Sequence, residues 1–256
     1  MTRRRAILVA LEIGTPVVLV AIWWFASYNS LSIFFPPLRY IAESFAENWF
    51  GERFVSDVVP SVARMLAGYL VAIVAGVGLG LVIGQWRIAR KLTGPAVSFL
   101  RSIPGAALLP PAVTLLGVGS GMKVAIIAFI CLWPILLNTI DGLDEQHPTA
   151  ESTAKVFRIG GWNELLWVTV PGALPRIFAG LRTSLALAVI MLVISEMVAS
   201  TNGLGFFTLQ AQRTFDVPDM WAGIIMIGLL GYVLTLIFTV IERAVLRWYL
   251  ESRSAS

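Results

Sequence analysis

The residue types that usually carry chemistry are scarce in this chain. There is one histidine, His147, and one cysteine, Cys131. Neither a histidine cluster for zinc or haem, nor a multi-cysteine metal site, nor a disulfide framework can be assembled from them. Cys131 lies inside an apolar run, where a thiol serves as a small buried hydrophobe. Isolated serines and aspartates occur, but a single histidine leaves no legible nucleophile–histidine–acid set. The glycine-rich stretch from Gly117 to Lys123 lacks the spacing of a phosphate-binding loop, and Val124 stands where such a loop needs Ser or Thr. What remains is a small set of charged groups embedded in apolar sequence: Glu12, Arg176, Arg182 and Glu196. Such groups are expensive in an apolar segment and mark anchors, pairs or passages.

Composition says what surrounds them. Of 256 residues, 57% are hydrophobic and 13% are charged, against about 25% charged in a soluble domain. Mean hydropathy is +0.82. That charge cannot cover a water-soluble surface of this size. A pI near 9.6 comes from 19 Lys and Arg against 15 Asp and Glu. The excess could indicate nucleic acid, but its distribution follows membrane topology instead.

Six apolar stretches predict six helices: Leu8 to Ala26, Ser61 to Ile83, Pro95 to Gly117, Val124 to Asn138, Ala173 to Ser200, and Trp221 to Ile241. Lengths near 20 residues match a hydrocarbon core of about 30 Å. The first follows Arg3-Arg4-Arg5, as a signal peptide would. It runs into Trp23-Trp24 without a small-residue cleavage site, and so reads as a retained span. The third is interrupted by Arg101, Pro104 and Pro110-Pro111, which a bilayer tolerates when neighbouring protein satisfies the freed carbonyls. With the N-terminus in the cytoplasm, the far side receives Arg39, Arg53, Arg64, Lys123 and Arg213. The rest of the 19 basic residues fall inside, so both termini are expected in the cytoplasm. The fold class expected is an all-α membrane protein with six transmembrane helices.

Two patterns stand out on this frame. Gly68, Ala72, Gly76, Gly80 and Gly84 recur at every fourth position, a small-residue stripe that lets another helix approach closely. The longest polar interruption after the fourth run, Asp141 to Pro171, opens with Thr149 as a cap and predicts a short helix from Ala150 to Phe157. Gly160-Gly161 ends it, and Trp162 to Val170 forms a second short amphipathic piece ahead of Pro171.

This interruption resembles the cytoplasmic loop of permease subunits from binding-protein-dependent ABC importers, which reads Glu-Ala-Ala, three residues, Gly, nine residues, Ile-x-Leu-Pro. Pro171 matches the final proline, with Val168 and Val170 at the Ile and Leu positions. Counting back puts Ser152-Thr153-Ala154 at Glu-Ala-Ala and Arg158 at the glycine. Glu151 stands one place early and Gly160 two places late. Further likeness to the branch for nitrate, sulfonate, taurine and bicarbonate uptake lies in Arg101-Ser102-Ile103-Pro104, in Pro134 to Gly142, in Ala179-Gly180-Leu181-Arg182, and in Ser195-Glu196-Met197 followed by Gly203-Leu204-Gly205. The resemblance runs from about Val59 to Arg247.

The resemblance implies a type I ABC importer permease-like fold that translocates a small solute, such as a sulfonate, nitrate or related anion, and does no covalent chemistry. It implies a second permease copy, two cytoplasmic ATPase subunits that bind ATP and Mg, and an extracytoplasmic solute-binding protein in a bacterial inner membrane. The chain itself is expected to bind no cofactor, metal or nucleic acid. Residues 1–28 would be the N-terminal span, 29–60 an extracytoplasmic loop, 61–247 the permease core with its coupling loop at 141–171, and 248–256 a cytoplasmic tail. The ATPase-coupling residues would be Ala150, Glu151, Ser152, Thr153, Ala154, Lys155, Phe157, Arg158, Gly160 and Pro171. Glu196, Arg182 and Asn138 are pathway or gate candidates. A self-sufficient ion-coupled carrier and a non-transporting scaffold subunit are the alternatives.

Overall fold

The computed structural model describes residues 3–145 and 156–254, and every regular element among them is helical. Helix α1 spans Arg3–Ser27 and α2 Leu38–Trp49. A π-helical turn, Phe54–Val58, runs into α3, Val59–Gln85. Helix α4, Arg87–Ser102, is followed by a 3-10 turn, Gly105–Leu108, and by α5, Leu109–Leu116. After α6, Ser120–Asp144, a helical lead, Trp162–Glu164, and a second π turn, Leu165–Thr169, enter α7, Val170–Val198. Helices α8, Leu204–Arg213, α9, Val217–Val245, and α10, Arg247–Ser254, complete the chain.

Four helical stretches are long and apolar enough to cross a membrane: Phe54–Gln85, Ser120–Asp144, Trp162–Val198 and Val217–Val245. The pair formed by α4 and Gly105–Leu116 qualifies only together and is bent by 84°. Helix α1, 25 residues long, covers the first apolar stretch, and its segment Gly14–Ser27 is apolar. Four spans, or five with the bent pair, thus meet both criteria among the described residues. The bend has a local cause. Ile103 precedes Pro104, whose ring disfavours helical backbone at Ile103, and Ile103 is extended at φ −71°, ψ 121°. Pro110-Pro111, expected to interrupt, instead sit in the first turn of α5, where a missing N–H is no loss.

One expectation gains detail and another changes. Residues 29–60 hold α2, an amphipathic helix, together with the π turn. Trp162 to Val170 is not a separate piece but continues into α7 through Pro171. Both π turns precede a Val-Pro pair, Val59-Pro60 and Val170-Pro171. Proline lacks an N–H and crowds the carbonyl one turn back, and a wider turn there spares the helix a break.

Helix α6 lies between α3 and α7. The stripe Gly68, Ala72, Gly76, Gly80, Gly84 is buried and faces α6. A Cβ at Gly80 would stand 2.6 Å from Thr139 Cβ, and one at Gly68 2.8 Å from the Val124 carbonyl. Glycine is needed there because the backbones nearly touch. On its other side α6 meets Gly180 of α7, where a Cβ would lie 2.8 Å from the Pro134 carbonyl. Hydrogen bonds join the layers: Tyr69 Oη donates to the Leu181 carbonyl at 2.8 Å, and Ser184 Oγ to the Cys131 carbonyl at 2.8 Å. Half of the most apolar window of α7 is buried, against 6% for α9, so α9 presents most of its surface outward.

Candidate functional site

Glu196 is the most enclosed charge among the described residues. It sits near the C-terminal end of α7 with no exposure. Ser61 Oγ, from the first turn of α3, donates to its carboxylate, 2.7 Å from Oε1 and 2.9 Å from Oε2. Arg64, one turn further along α3, donates from Nη1 to Oε1 at 2.9 Å, and the backbone N–H of Gly205 donates to Oε2 at 3.1 Å. Arg64 also donates to Ser120 Oγ at 3.0 Å and to Asn202 Oδ1 at 2.7 Å. One carboxylate and one guanidinium thus hold together α3, α6, α7 and the loop before α8.

The same cluster caps α8. The N–H of Gly203 donates to Asp57 Oδ1 at 2.6 Å, that of Leu204 to Ser61 Oγ at 3.1 Å, and that of Gly205 to Glu196. Free N–H groups at a helix start favour acceptors and negative charge, and here other helices supply them. Gly203 has φ +118°, and a Cβ there would fall 2.4 Å from the Glu196 carboxylate. Lys123 is buried beside the cluster, with Nζ 3.4 Å from the Gly119 carbonyl.

The opposite end of the bundle carries exposed ion pairs. Arg90 of α4 pairs with Asp144 of α6, Arg176 of α7 with Glu145, and Arg182 of α7 with Glu242 of α9. Arg182 therefore links two helices at this end and stands apart from Glu196.

Between the ends, the 84° bend leaves a hollow of about 650 Å³ against α6, walled by Ser98, Arg101, Ser102, Gly105, Trp133, Asn138 and apolar neighbours. A second hollow of about 320 Å³ shares Ser98, Arg101 and Leu137 and continues along α4 to Arg90 and Asp141. Of the three pathway or gate candidates, Asn138 lines the hollow, whereas Glu196 and Arg182 do not. Arg101 lines both hollows, a position its sequence context, as one basic residue beside a proline, did not reveal.

Of the coupling residues, Ala150, Glu151, Ser152, Thr153, Ala154 and Lys155 lie outside the described residues. Val156 is helical, but Phe157 and Arg158 form a turn, with Arg158 at φ +54°, so the expected helix does not include Phe157. Val156 and Phe157 are 78% and 72% exposed. Gly160 is exposed, and Pro171 lies in the first turn of α7.

Comparisons with known proteins agree with this architecture. Residues 52–249 match the family described as "Binding-protein-dependent transport system inner membrane component". The taurine transport system permease protein TauC of Escherichia coli (strain K12) is 26% identical over 250 residues, which are 95% of this chain and 91% of the relative. The bicarbonate transport system permease protein CmpB of Synechococcus elongatus is 30% identical over 192 residues, 75% of this chain and 69% of the relative. The nitrate import permease protein NrtB of Leptolyngbya laminosa is 29% identical over 178 residues, 70% of this chain and 64% of the relative. Among solved structures, an inward-facing conformation of the MetNI methionine ABC transporter superposes with a TM-score of 0.62 at 20% identity, covering 74% of this chain and 94% of that one.

Proposed function

This chain belongs to the family of binding-protein-dependent transport system inner membrane components, and from that premise we propose that it forms one half of an ATP-driven uptake pathway for a small anion. It is a permease subunit that does no covalent chemistry of its own. The reading puts a second copy across the bent face of α4 and α5, two ATPase subunits beneath the α6–α7 connection, and a solute-binding protein at the Glu196 end. With α1 as a sixth span, the Arg90–Asp144 end and both termini are then cytoplasmic, as the basic residues favour.

The observation that carries the reading is the hollow at the α4–α5 bend. It is a recess on α6 that brings Ser98, Arg101 and Asn138 together among apolar neighbours, and a chain broken in mid-bilayer is tolerable only where it meets protein or water. A second copy opposite would enclose it. The exposed Val156 and Phe157 support a docking surface for a cytoplasmic partner at the α6–α7 connection. At the other end, a recess of about 490 Å³ between Glu52, Arg53, Asp57, Asn202 and Gln210 offers polar groups to a binding protein. Closure of the ATPases would shift α6 and α7 as rigid bodies, opening the recess first to one side and then to the other. Relatives that carry taurine, bicarbonate and nitrate by name support a small anionic or sulfonated solute.

The test is to purify wild type and Ala154→Arg with the ATPase subunits in one detergent. A buried small residue in the coupling segment would make the added arginine obstruct docking, because its charge must be desolvated. ATPase copurification and binding-protein-stimulated hydrolysis are expected to fall while the permease still reaches the membrane. Undiminished ATPase retention with normal uptake refutes the coupling assignment, and uptake that survives loss of the ATPase subunits refutes an ATP-driven pathway.

A further inference from the structure

We propose that Arg101 is the residue that binds the anionic group of the transported solute, and that the hollow at the α4–α5 bend is a small-oxyanion site; this rests on the pathway reading above. The arginines that anchor the helices to one another, Arg64, Arg90, Arg176 and Arg182, each hold a carboxylate. Arg101 makes no ion pair and no side-chain hydrogen bond among the described residues, although it lines both connected hollows. A guanidinium in a spanning segment cannot rest against lipid unpaired, and so needs water or an anion.

The walls favour the anion. No carboxylate lines the larger hollow. Asn138 uses one amide N–H on the Pro134 carbonyl at 2.8 Å, which leaves its second N–H and its Oδ1. Trp133 Nε1 is buried without a hydrogen-bond partner. Ser102 already donates to the Phe99 carbonyl, so its hydroxyl offers only acceptance. The unused groups are therefore mostly donors: the guanidinium, the indole N–H and one amide N–H, together with the Ser98 hydroxyl. The smaller hollow adds Asp141 beside Arg90 and Arg101, and Arg90 is already neutralised by Asp144. A planar guanidinium offers two parallel N–H groups to two oxygens of a sulfonate, nitrate or carbonate-type anion, which a lysine ammonium cannot match in geometry.

The position also suits a passage. Leu137, which lines both hollows, lies seven residues from the end of α6, about 10 Å along its axis. The anion would meet Arg101 as it leaves toward the Arg90–Asp144 end.

The test uses charged thiol reagents in place of the solute. Leu137→Cys is introduced in a Cys131→Ser background, and the complete transporter is reconstituted in nanodiscs. Reaction rates are measured with sulfonatoethyl methanethiosulfonate, itself a small sulfonate, and with its trimethylammonioethyl counterpart. The anion-to-cation rate ratio is expected to fall about tenfold with Arg101→Gln, as removal of a nearby unit charge in a partly shielded site implies. Arg101→Lys should keep most of the ratio. Millimolar nitrate should slow the sulfonate reagent where Arg101 is intact and leave its rate unchanged in the Arg101→Gln variant. A ratio that stays within twofold in Arg101→Gln overturns the proposal. Trapping with ATP and vanadate separates the two readings: an Arg101-dependent ratio with no change of Leu137→Cys reactivity on trapping keeps the anion site and refutes its place on the pathway.

Discussion

Replacing Glu196 tests whether the buried cluster at one end of the bundle holds four helical segments together. Its Oε1 accepts from Ser61 and Arg64, and its Oε2 accepts from Ser61 and Gly205. Hydrogen bonds to a charged group contribute about 1.5–3 kcal/mol each, and breaking a buried ion pair by removing one partner costs about 3–5 kcal/mol. Arg64 would still hold Ser120 and Asn202, so Glu196→Ala is expected near the lower limit, about 3 kcal/mol. Glu196→Gln keeps the shape, yet its amide NH2 must face either the Arg64 or the Gly205 N–H whichever way it turns. A cost of about 2 kcal/mol follows. The assay is unfolding of the purified permease in mixed detergent and SDS micelles, followed by tryptophan fluorescence. In an Arg64→Met background the Glu196→Gln cost should shrink by about 1 kcal/mol or more, since the pairing is already gone. An unfolding free energy of Glu196→Ala within about 0.5 kcal/mol of wild type, or the same Gln cost in both backgrounds, refutes the reasoning.

The α3 stripe carries its own control, because nothing lies within 4 Å of a Cβ at Gly78, whereas one at Gly80 would strike Thr139. Gly80→Ala should destabilise by about 1–3 kcal/mol and lower the thermal midpoint, while Gly78→Ala should leave it unchanged. Tyr69→Phe removes the bond to the Leu181 carbonyl and should cost only about 0.6 kcal/mol by the same SDS titration, the usual size of an interhelical bond in a bilayer. Single cysteines at the exposed positions Glu47 and Lys91, in a Cys131→Ser background, should be labelled from opposite faces of the membrane; labelling of both from one face would overturn the proposed orientation.

What could be read in the sequence was what is local and periodic. A fourfold repeat of small residues shows one face of one helix, and the structure has that face against α6. Apolar runs located α3, α6, α7 and α9 because length and composition suffice for a span. The bend was legible as prolines but not as a position: Pro110-Pro111 look more disruptive than Pro104, yet they begin a helix. Helix α2 was hidden because its amphipathic pattern packs on α9 through Ser44, Asn48 and Asp219, a partner about 170 residues away in sequence. The site suffered most from such distances. Arg64 reads as one of the basic residues on the far side until Glu196 comes beside it, and Arg182 reads as a pathway or gate candidate until Glu242 does. Nothing in a run of residues announces that Arg101 lacks such a partner.

The separation between Arg64 and Glu196 also has a consequence for biogenesis. The two are 132 positions apart in the chain. At about 5–20 residues per second, a ribosome delivers Glu196 roughly 7 to 26 s after Arg64. During that interval α3 stands in the membrane with a cation near one end and a stripe of bare backbone along one side. Helix α6 arrives first and covers the stripe, and Ser120 at its start can take one Arg64 N–H. Only when α7 is inserted does the carboxylate follow, and only then does α8, nine residues further on from Glu196 at Gly205, acquire its cap. Nascent chains arrested before Glu196 would therefore hold a packed α3–α6 pair with an unlatched end, open to the proteases that survey the membrane, whereas chains arrested after Gly205 would be latched.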